Sequence, residues 1–148
     1  GFFKQSARIT TKGKSNTVVH TDFNLFPLQV DQVVRLDNIY YDVAKWNIRK
    51  DAAVELDKLV QTLNDNPSVK IELSSHTDCR GKDAYNMTLS RKRAQSAVDY
   101  VVRQGIAKDR LVAKGYGETR PVEPCECGKC TEEENQANRR TEFKVLSK

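Results

Sequence analysis

The chain has 148 residues, 38% of them hydrophobic and 30% charged, which suits one folded domain and excludes a disordered chain. No apolar run approaches the ~18 residues of a membrane-crossing helix, and no signal peptide opens the sequence. The net charge of +5 is concentrated in the first 35 residues, so the remainder is nearly neutral. Since nucleic-acid-binding proteins place basic charge on the folded core, we expect no nucleic acid as a partner.

The first 35 residues form short alternating runs and open abruptly with Gly1-Phe2-Phe3. We interpret residues 1–35 as the tail of an upstream β domain plus a linker, within a longer protein. A second domain is expected over 36–148.

In chain order this second domain alternates strands with helices. The periodicity predicts strands at 36–41, 69–73, 111–116 and 141–146, a helix whose apolar residues run from Ala52 to Leu63, a helix at 84–103, and a short helix after Thr131. This order predicts an α/β fold: a two-layer sandwich of a mixed four-stranded sheet with helices on one face, preceded by a short β segment.

A serine, a histidine and an acid lie close together after the second of these strands, as Ser75, His76 and Asp78. Such neighbours on one extended segment point in alternating directions, whereas the members of a catalytic triad meet from separate loops. No G-x-S-x-G nucleophile elbow is present either. We therefore expect no hydrolase triad at these residues.

Asp78 and Arg93 form a more informative pair. Asp78 ends a loop after an inner strand, and Arg93 lies on the flank of the apolar stripe of the next helix. A carboxylate and a guanidinium that face one pocket bind a zwitterion. A plain ion pair between the two side chains is the alternative, and the spacing leaves both possibilities open.

The four cysteines are Cys79 and the cluster Cys125, Cys127 and Cys130. They are compatible with two disulfides in an oxidising compartment or with a four-thiolate zinc site in a reducing one. Their spacing does not decide between these interpretations.

Several separated blocks of the chain together resemble the OmpA-like peptidoglycan-binding domain, a family that includes the Pal lipoproteins and the periplasmic part of MotB. The resemblance covers about residues 36–148, with the spacing between blocks intact. The blocks are Ser75-His76-Thr77-Asp78, Gly81, Asn86, Leu89-Ser90, Arg93-Ala94, Gly105-Ile106, Arg110-Leu111, Gly115-Tyr116-Gly117, Pro121 and Asn138-Arg139-Arg140.

The resemblance implies non-catalytic binding of cell-wall peptidoglycan through the meso-diaminopimelate of the stem peptide, with no cofactor and no metal. Asp78 matches the family's ligand for the ammonium group and Arg93 its ligand for the carboxylate, while Thr77 and Asn86 match neighbouring pocket positions. The Asn138-Arg139-Arg140 block is expected to be structural. The implied location is the periplasmic face of the outer membrane of a Gram-negative bacterium, where the domain anchors an outer-membrane protein or lipoprotein.

That compartment favours disulfides, and the expected pairing is Cys79–Cys127 with Cys125–Cys130. The alternative function is a cysteine-based redox or zinc-binding module on the same scaffold.

Overall fold

The computed structural model describes residues 29–36, 39, 41 and 45–148 of the chain. The upstream β segment and linker were predicted at residues 1–35. Of these, residues 1–28 lie outside the described residues. The elements are β1 (Val33–Leu36), α1 (Lys50–Asp65), β2 (Lys70–His76), α2 (Asp83–Arg103), a 3-10 turn (Lys108–Arg110), β3 (Leu111–Gly117), α3 (Glu132–Asn138) and β4 (Thr141–Ser147).

The four strands form one mixed sheet in the order β1-β4-β2-β3. β2 pairs in parallel with β3 and antiparallel with β4, and β4 pairs antiparallel with β1. Leu73 lies between Ala113 on one side and Phe143 on the other. The predicted α/β sandwich with a mixed four-stranded sheet is confirmed.

The first strand of this sheet begins earlier than expected. β1 ends at Leu36, where the first strand of the domain was predicted to start, and Val33 already pairs with Lys144 of β4. Val34 and Leu36 pack against the core from one face of β1, because alternate strand residues share a face. The sheet therefore includes residues that we had assigned to the linker, and residues 37, 38 and 40 of the predicted strand lie outside the described residues.

The hydrophobic core lies between the sheet and the two long helices. All five apolar residues of the predicted α1 stripe are buried, namely Ala52, Leu56, Leu59, Val60 and Leu63. They pack with Ala97, Val98 and Val101 of α2 and with Ile71 and Leu73 of β2. Burial of each large aliphatic side chain contributes about 2 kcal/mol, so this shared core holds both helices against the strand that leads to the polar loop.

Candidate functional site

All four residues that the resemblance singled out line one cleft of about 540 Å³ at the end of β2. They reach it from different elements, since Thr77 and Asp78 follow β2 whereas Asn86 and Arg93 belong to α2. The other residues that line the cleft are Tyr41, Arg80, Tyr85, Leu89, Glu132, Gln136 and Arg139.

The position of Asp78 follows from the central place of β2 in the sheet. Beyond the last strand pairings, the His76 N–H donates to the Arg140 carbonyl and the Thr77 N–H to the Gly117 carbonyl, both at 2.9 Å. The chain is thus held on both sides up to the residue before Asp78. A carboxylate directly after such a strand has little freedom to move away from the cleft.

The position of Arg93 depends on an unusually close approach of α2 to β3. A Cβ atom on Gly115 would lie 2.2 Å from the backbone nitrogen of Arg91, so only glycine fits there. Next to it, Ser90 Oγ accepts a hydrogen bond from the Gly117 N–H at 2.8 Å. These contacts place the α2 turn that carries Arg93 against the sheet.

The Arg93 side chain is held along the wall of the cleft. Its Nε donates to the Lys45 carbonyl at 3.0 Å, and its guanidinium carbon lies 4.8 Å from the centroid of the Tyr41 ring. Burial lowers the pKa of Arg93, although an arginine stays protonated in proteins. A buried cation on this wall favours an anionic group in the cleft.

Asn86 stabilises the loop between β2 and α2. Its Nδ2 donates to the carbonyls of Asp78 (3.4 Å) and Arg80 (3.2 Å). Because the amide is almost fully buried, it fixes the backbone on both sides of Cys79. Thr77, also buried, has an Oγ1 with no hydrogen-bond partner among the described residues.

The Asp78 carboxylate is bound by two arginines. Among the described residues, its Oδ2 accepts hydrogen bonds from Arg80 Nε (3.2 Å), Arg80 Nη2 (2.8 Å) and Arg139 Nη1, whereas Oδ1 accepts from the Arg80 backbone N–H alone, at 3.1 Å. Burial acts to raise the pKa of this carboxyl, but the hydrogen bonds from Arg80 and Arg139 outweigh it and hold the pKa below its ordinary value. Asp78 is therefore a carboxylate at neutral pH, with acceptor capacity left on Oδ1.

These contacts bear on one alternative that the spacing left open and on one expectation. Among the described residues the ion-pair partners of Asp78 are Arg80 and Arg139, so the plain Asp78–Arg93 ion pair that the spacing allowed is not formed. Arg139, expected to be structural, instead turns its guanidinium into the cleft. Its neighbour Arg140 does fit the structural role, because it donates to Glu142 and to the Arg120 carbonyl at 3.1 and 3.0 Å.

Helix α3 supplies a wall of the cleft that sequence reasoning missed. Thr131 caps its first turn in a reciprocal capping box with Glu134. Glu132 pairs with Arg80 at 3.2 Å and with Arg139, whose hydrogen bond lowers the pKa of Glu132. Glu132, Gln136 and Arg139 follow one another at i, i+4 and i+7, and this helical periodicity was the available signal that they share a face.

The cysteines form two disulfides that lie beside the cleft. Cys79 pairs with Cys127 and Cys125 with Cys130, with Cα atoms 5.7 and 5.4 Å apart. This is the pairing that the resemblance led us to expect. Zinc binding requires thiolates, and all four cysteines are bridged, so the zinc alternative has no support.

Two further features are absent from the part of the chain that the structure describes. This part contains no helix with the length and apolar character needed to cross a membrane. It also contains no cluster of three or more histidine, cysteine, aspartate or glutamate side chains placed to hold a metal ion.

The chain is similar in sequence to one protein family and to several known proteins. Residues 40–139 match the model of the OmpA family. The photosystem I P700 chlorophyll a apoprotein A2 of Gloeobacter violaceus is 38% identical over 111 residues, which are 74% of this chain and 13% of that protein. Outer membrane porin F of Pseudomonas fluorescens is 35% identical over 117 residues, 78% of this chain and 35% of that protein.

A third relative is the peptidoglycan-associated lipoprotein of Mesorhizobium japonicum. It is 36% identical over 101 residues, which are 68% of this chain and 60% of that protein. The chain thus spans less than two thirds of the length of each of these three relatives.

Among solved structures, the cell wall anchor of the T6SS from Pseudomonas aeruginosa has a similar fold. The TM-score is 0.64 at 24% sequence identity, and the match covers 78% of this chain and 80% of that one. At this identity the similarity establishes the fold alone.

Proposed function

Because the chain belongs to the OmpA family, we propose that its cleft binds cell-wall peptidoglycan without turnover and anchors an outer-membrane protein or lipoprotein to the wall. The ligand is the diaminopimelate residue of the stem peptide. One relative is an outer membrane porin and another is a peptidoglycan-associated lipoprotein. Their names support a location at the periplasmic face of the outer membrane.

One observation carries this proposal: a carboxylate and a buried guanidinium line the same cleft, on Asp78 and Arg93. The free end of diaminopimelate is a zwitterion with an ammonium and a carboxylate on one carbon. Arg93 binds the carboxylate through its planar fork of N–H donors. Asp78 accepts from the ammonium through Oδ1, the oxygen that no guanidinium occupies.

The charges around the cleft suit such a ligand. Asp78 and Glu132 are neutralised by Arg80 and Arg139, with which they form a closed set of ion pairs. Arg93 is not a member of this set, and its guanidinium is the group that the ligand carboxylate meets. The Arg80 side chain is 53% exposed, so it can turn toward water when an ammonium approaches Asp78.

The remaining two expected ligand residues act in different ways. Thr77 lines the cleft directly before Asp78, and its buried hydroxyl, which has no partner among the described residues, can bond the ligand once the cleft wall adjusts. Asn86 acts through the loop that it holds in place. One zwitterion buries little surface, so a single stem binds with roughly micromolar to millimolar affinity, and many stems on one sacculus supply avidity.

Co-sedimentation with purified Gram-negative sacculi tests the proposal. Wild-type protein should pellet, while Asp78→Asn and Arg93→Ala should stay in solution with unchanged circular dichroism. Matched controls are Asp109→Asn, at an exposed carboxylate outside the cleft, and Arg91→Ala, at an exposed position two residues before Arg93. Both controls should pellet like the wild type. Equal pelleting of all five proteins, or of none, contradicts the proposal.

A cysteine-based redox module remains the alternative of a different class. Neither the family nor the relatives named above supports it, and a glycan- or peptide-cleaving activity has no support either. Release of wall fragments during the sedimentation assay would contradict binding without turnover.

A further inference from the structure

A second depression of about 470 Å³ lies between α2 and the segment that leads into α1. Its volume is in the range of small-ligand sites, and it is open to solvent along its length. We call it the α1–α2 groove. It is lined by residues 46–50 and Ala53 on one side and by Ser96, Asp99, Tyr100 and Arg103 of α2 on the other.

Trp46 is the main feature of this groove. It is the single tryptophan of the chain, and 40% of it is exposed. Lys92 Nζ lies 4.1 Å from the ring centroid, and Trp46 also lines the groove. Tyr100 adds a second aromatic ring on the opposite wall.

The polar groups beside these rings include both donors and acceptors. Asn47 offers an amide, Asp99 a carboxylate and Arg103 a guanidinium. Arg49 is paired with Asp51 at 3.2 Å. Lys50 and Arg103 bring positive charge and Asp99 negative charge, so the groove is mixed in charge, and hydroxyl and acetamido groups use its donors and acceptors alike. The C–H face of a pyranose ring packs on an aromatic ring.

The groove lies next to the cleft, because residues that line each of them are neighbours in the chain or in contact. Two successive residues of α2 hold two successive residues of the segment before α1: Arg93 donates to the Lys45 carbonyl at 3.0 Å, and Lys92 lies over Trp46. A stem peptide in the cleft is covalently attached to the glycan strand. The groove is therefore adjacent to the cleft proposed to hold the stem, within reach of the attached strand.

We infer that the α1–α2 groove binds the glycan strand of the wall, a neutral polymer of N-acetylated amino sugars, with Trp46 as the stacking surface. That the strand comes near the groove rests on the proposed function. Binding of the sugar itself can be measured without any stem peptide.

The direct test is titration of the ¹⁵N-labelled chain with a β-1,4-linked N-acetylglucosamine hexamer, followed by NMR. Saturable shifts are expected at the Trp46 indole N–H and at the amides of residues 46–53 and 96–103. Trp46→Ala should weaken binding roughly tenfold. Val112→Ala, at an apolar β3 residue that is 44% exposed, should not weaken it. If Trp46→Ala disturbs the fold, Ser96→Gln fills the groove from α2 and should weaken binding as well. Absent shifts, or shifts confined to the cleft, overturn the inference.

A second titration with a sugar-free diaminopimelate stem peptide separates the two proposals. Its shifts should centre on Asp78 and Arg93. A response to the sugar without a response to the stem supports the groove and overturns the proposed function. A response to the stem without a response to the sugar supports the proposed function and overturns the inference about the groove.

Discussion

Arg139 donates a hydrogen bond from its guanidinium to Oδ2 of Asp78, a residue 61 positions earlier in the chain. The contact joins the end of α3 to the loop after β2. It also occupies one oxygen of the carboxylate and leaves Oδ1 toward the cleft. Arg139 is thus a positioning residue for the proposed ligand.

Replacing Arg139 should weaken wall binding without unfolding the chain. We expect Arg139→Ala to lower the affinity for a stem peptide roughly tenfold, because Asp78 loses a charge-assisted hydrogen bond. Arg139→Lys should recover only part of the affinity, since an ammonium lacks the planar fork. Calorimetry with stem peptide measures both. Arg120→Ala is the control, at an exposed arginine that lies over Tyr116 outside the cleft. Unchanged affinity in Arg139→Ala would remove Arg139 from the site.

The pH dependence follows from the lowered pKa of Asp78. A carboxyl whose pKa is lower in the folded state than in the unfolded one stabilises the fold above the unfolded value of about 4, and this stabilisation is lost as the pH falls through the lowered pKa. Stem-peptide affinity should stay level from about pH 8 to pH 5 and fall only below about pH 4. In Asp78→Asn the unfolding free energy should depend less on pH in the acidic range. A binding midpoint near pH 6 would contradict the assignment to Asp78.

The disulfide between Cys79 and Cys127 should stabilise both the fold and the site. It closes a loop with a sequence separation of 48, which corresponds to about 4 kcal/mol of unfolding free energy in the chain-entropy model. Since Cys79 follows Asp78 directly, the Cys79→Ser/Cys127→Ser double variant should also lose wall binding. Urea denaturation and sacculus sedimentation measure the two effects.

The second bridge provides the matched comparison for that experiment. Cys125 and Cys130 are separated by 5 residues, and the same model assigns this bridge about 2 kcal/mol. The Cys125→Ser/Cys130→Ser double variant should therefore be destabilised less and retain more binding. Equal wall binding in the wild type and the Cys79→Ser/Cys127→Ser variant would show that the bridge does not support the site.

Gly115 should tolerate no side chain. The Cβ atom of alanine would meet the backbone of Arg91 at 2.2 Å, so α2 must shift away from β3. We expect Gly115→Ala to lower the unfolding free energy by about 3 kcal/mol and to weaken stem binding, because Arg93 moves with α2. Lys114→Ala, at the exposed preceding residue, should change the unfolding free energy by less than about 0.5 kcal/mol. Thermal or urea denaturation distinguishes the two variants.

The sequence by itself determined the elements that depend on local periodicity. The apolar stripe from Ala52 to Leu63 repeats at helical spacing, and Val69, Ile71 and Leu73 alternate at strand spacing, so both buried faces could be predicted from residues close together in the chain. The start of β1 could not, because pairing of Val33 with Lys144 depends on a strand more than 100 residues away. The resemblance to a family identified four of the residues that line the cleft, without their mutual contacts.

The tertiary structure decided which charges meet. From spacing alone, Arg93 could form an ion pair with Asp78, yet the packing of α2 at Gly115 directs it to Lys45 and Tyr41. Arg139 becomes a partner because α3 and β4 return the chain to the end of β2. Ion pairing depends on distance in space, and three elements separated in sequence set that distance here.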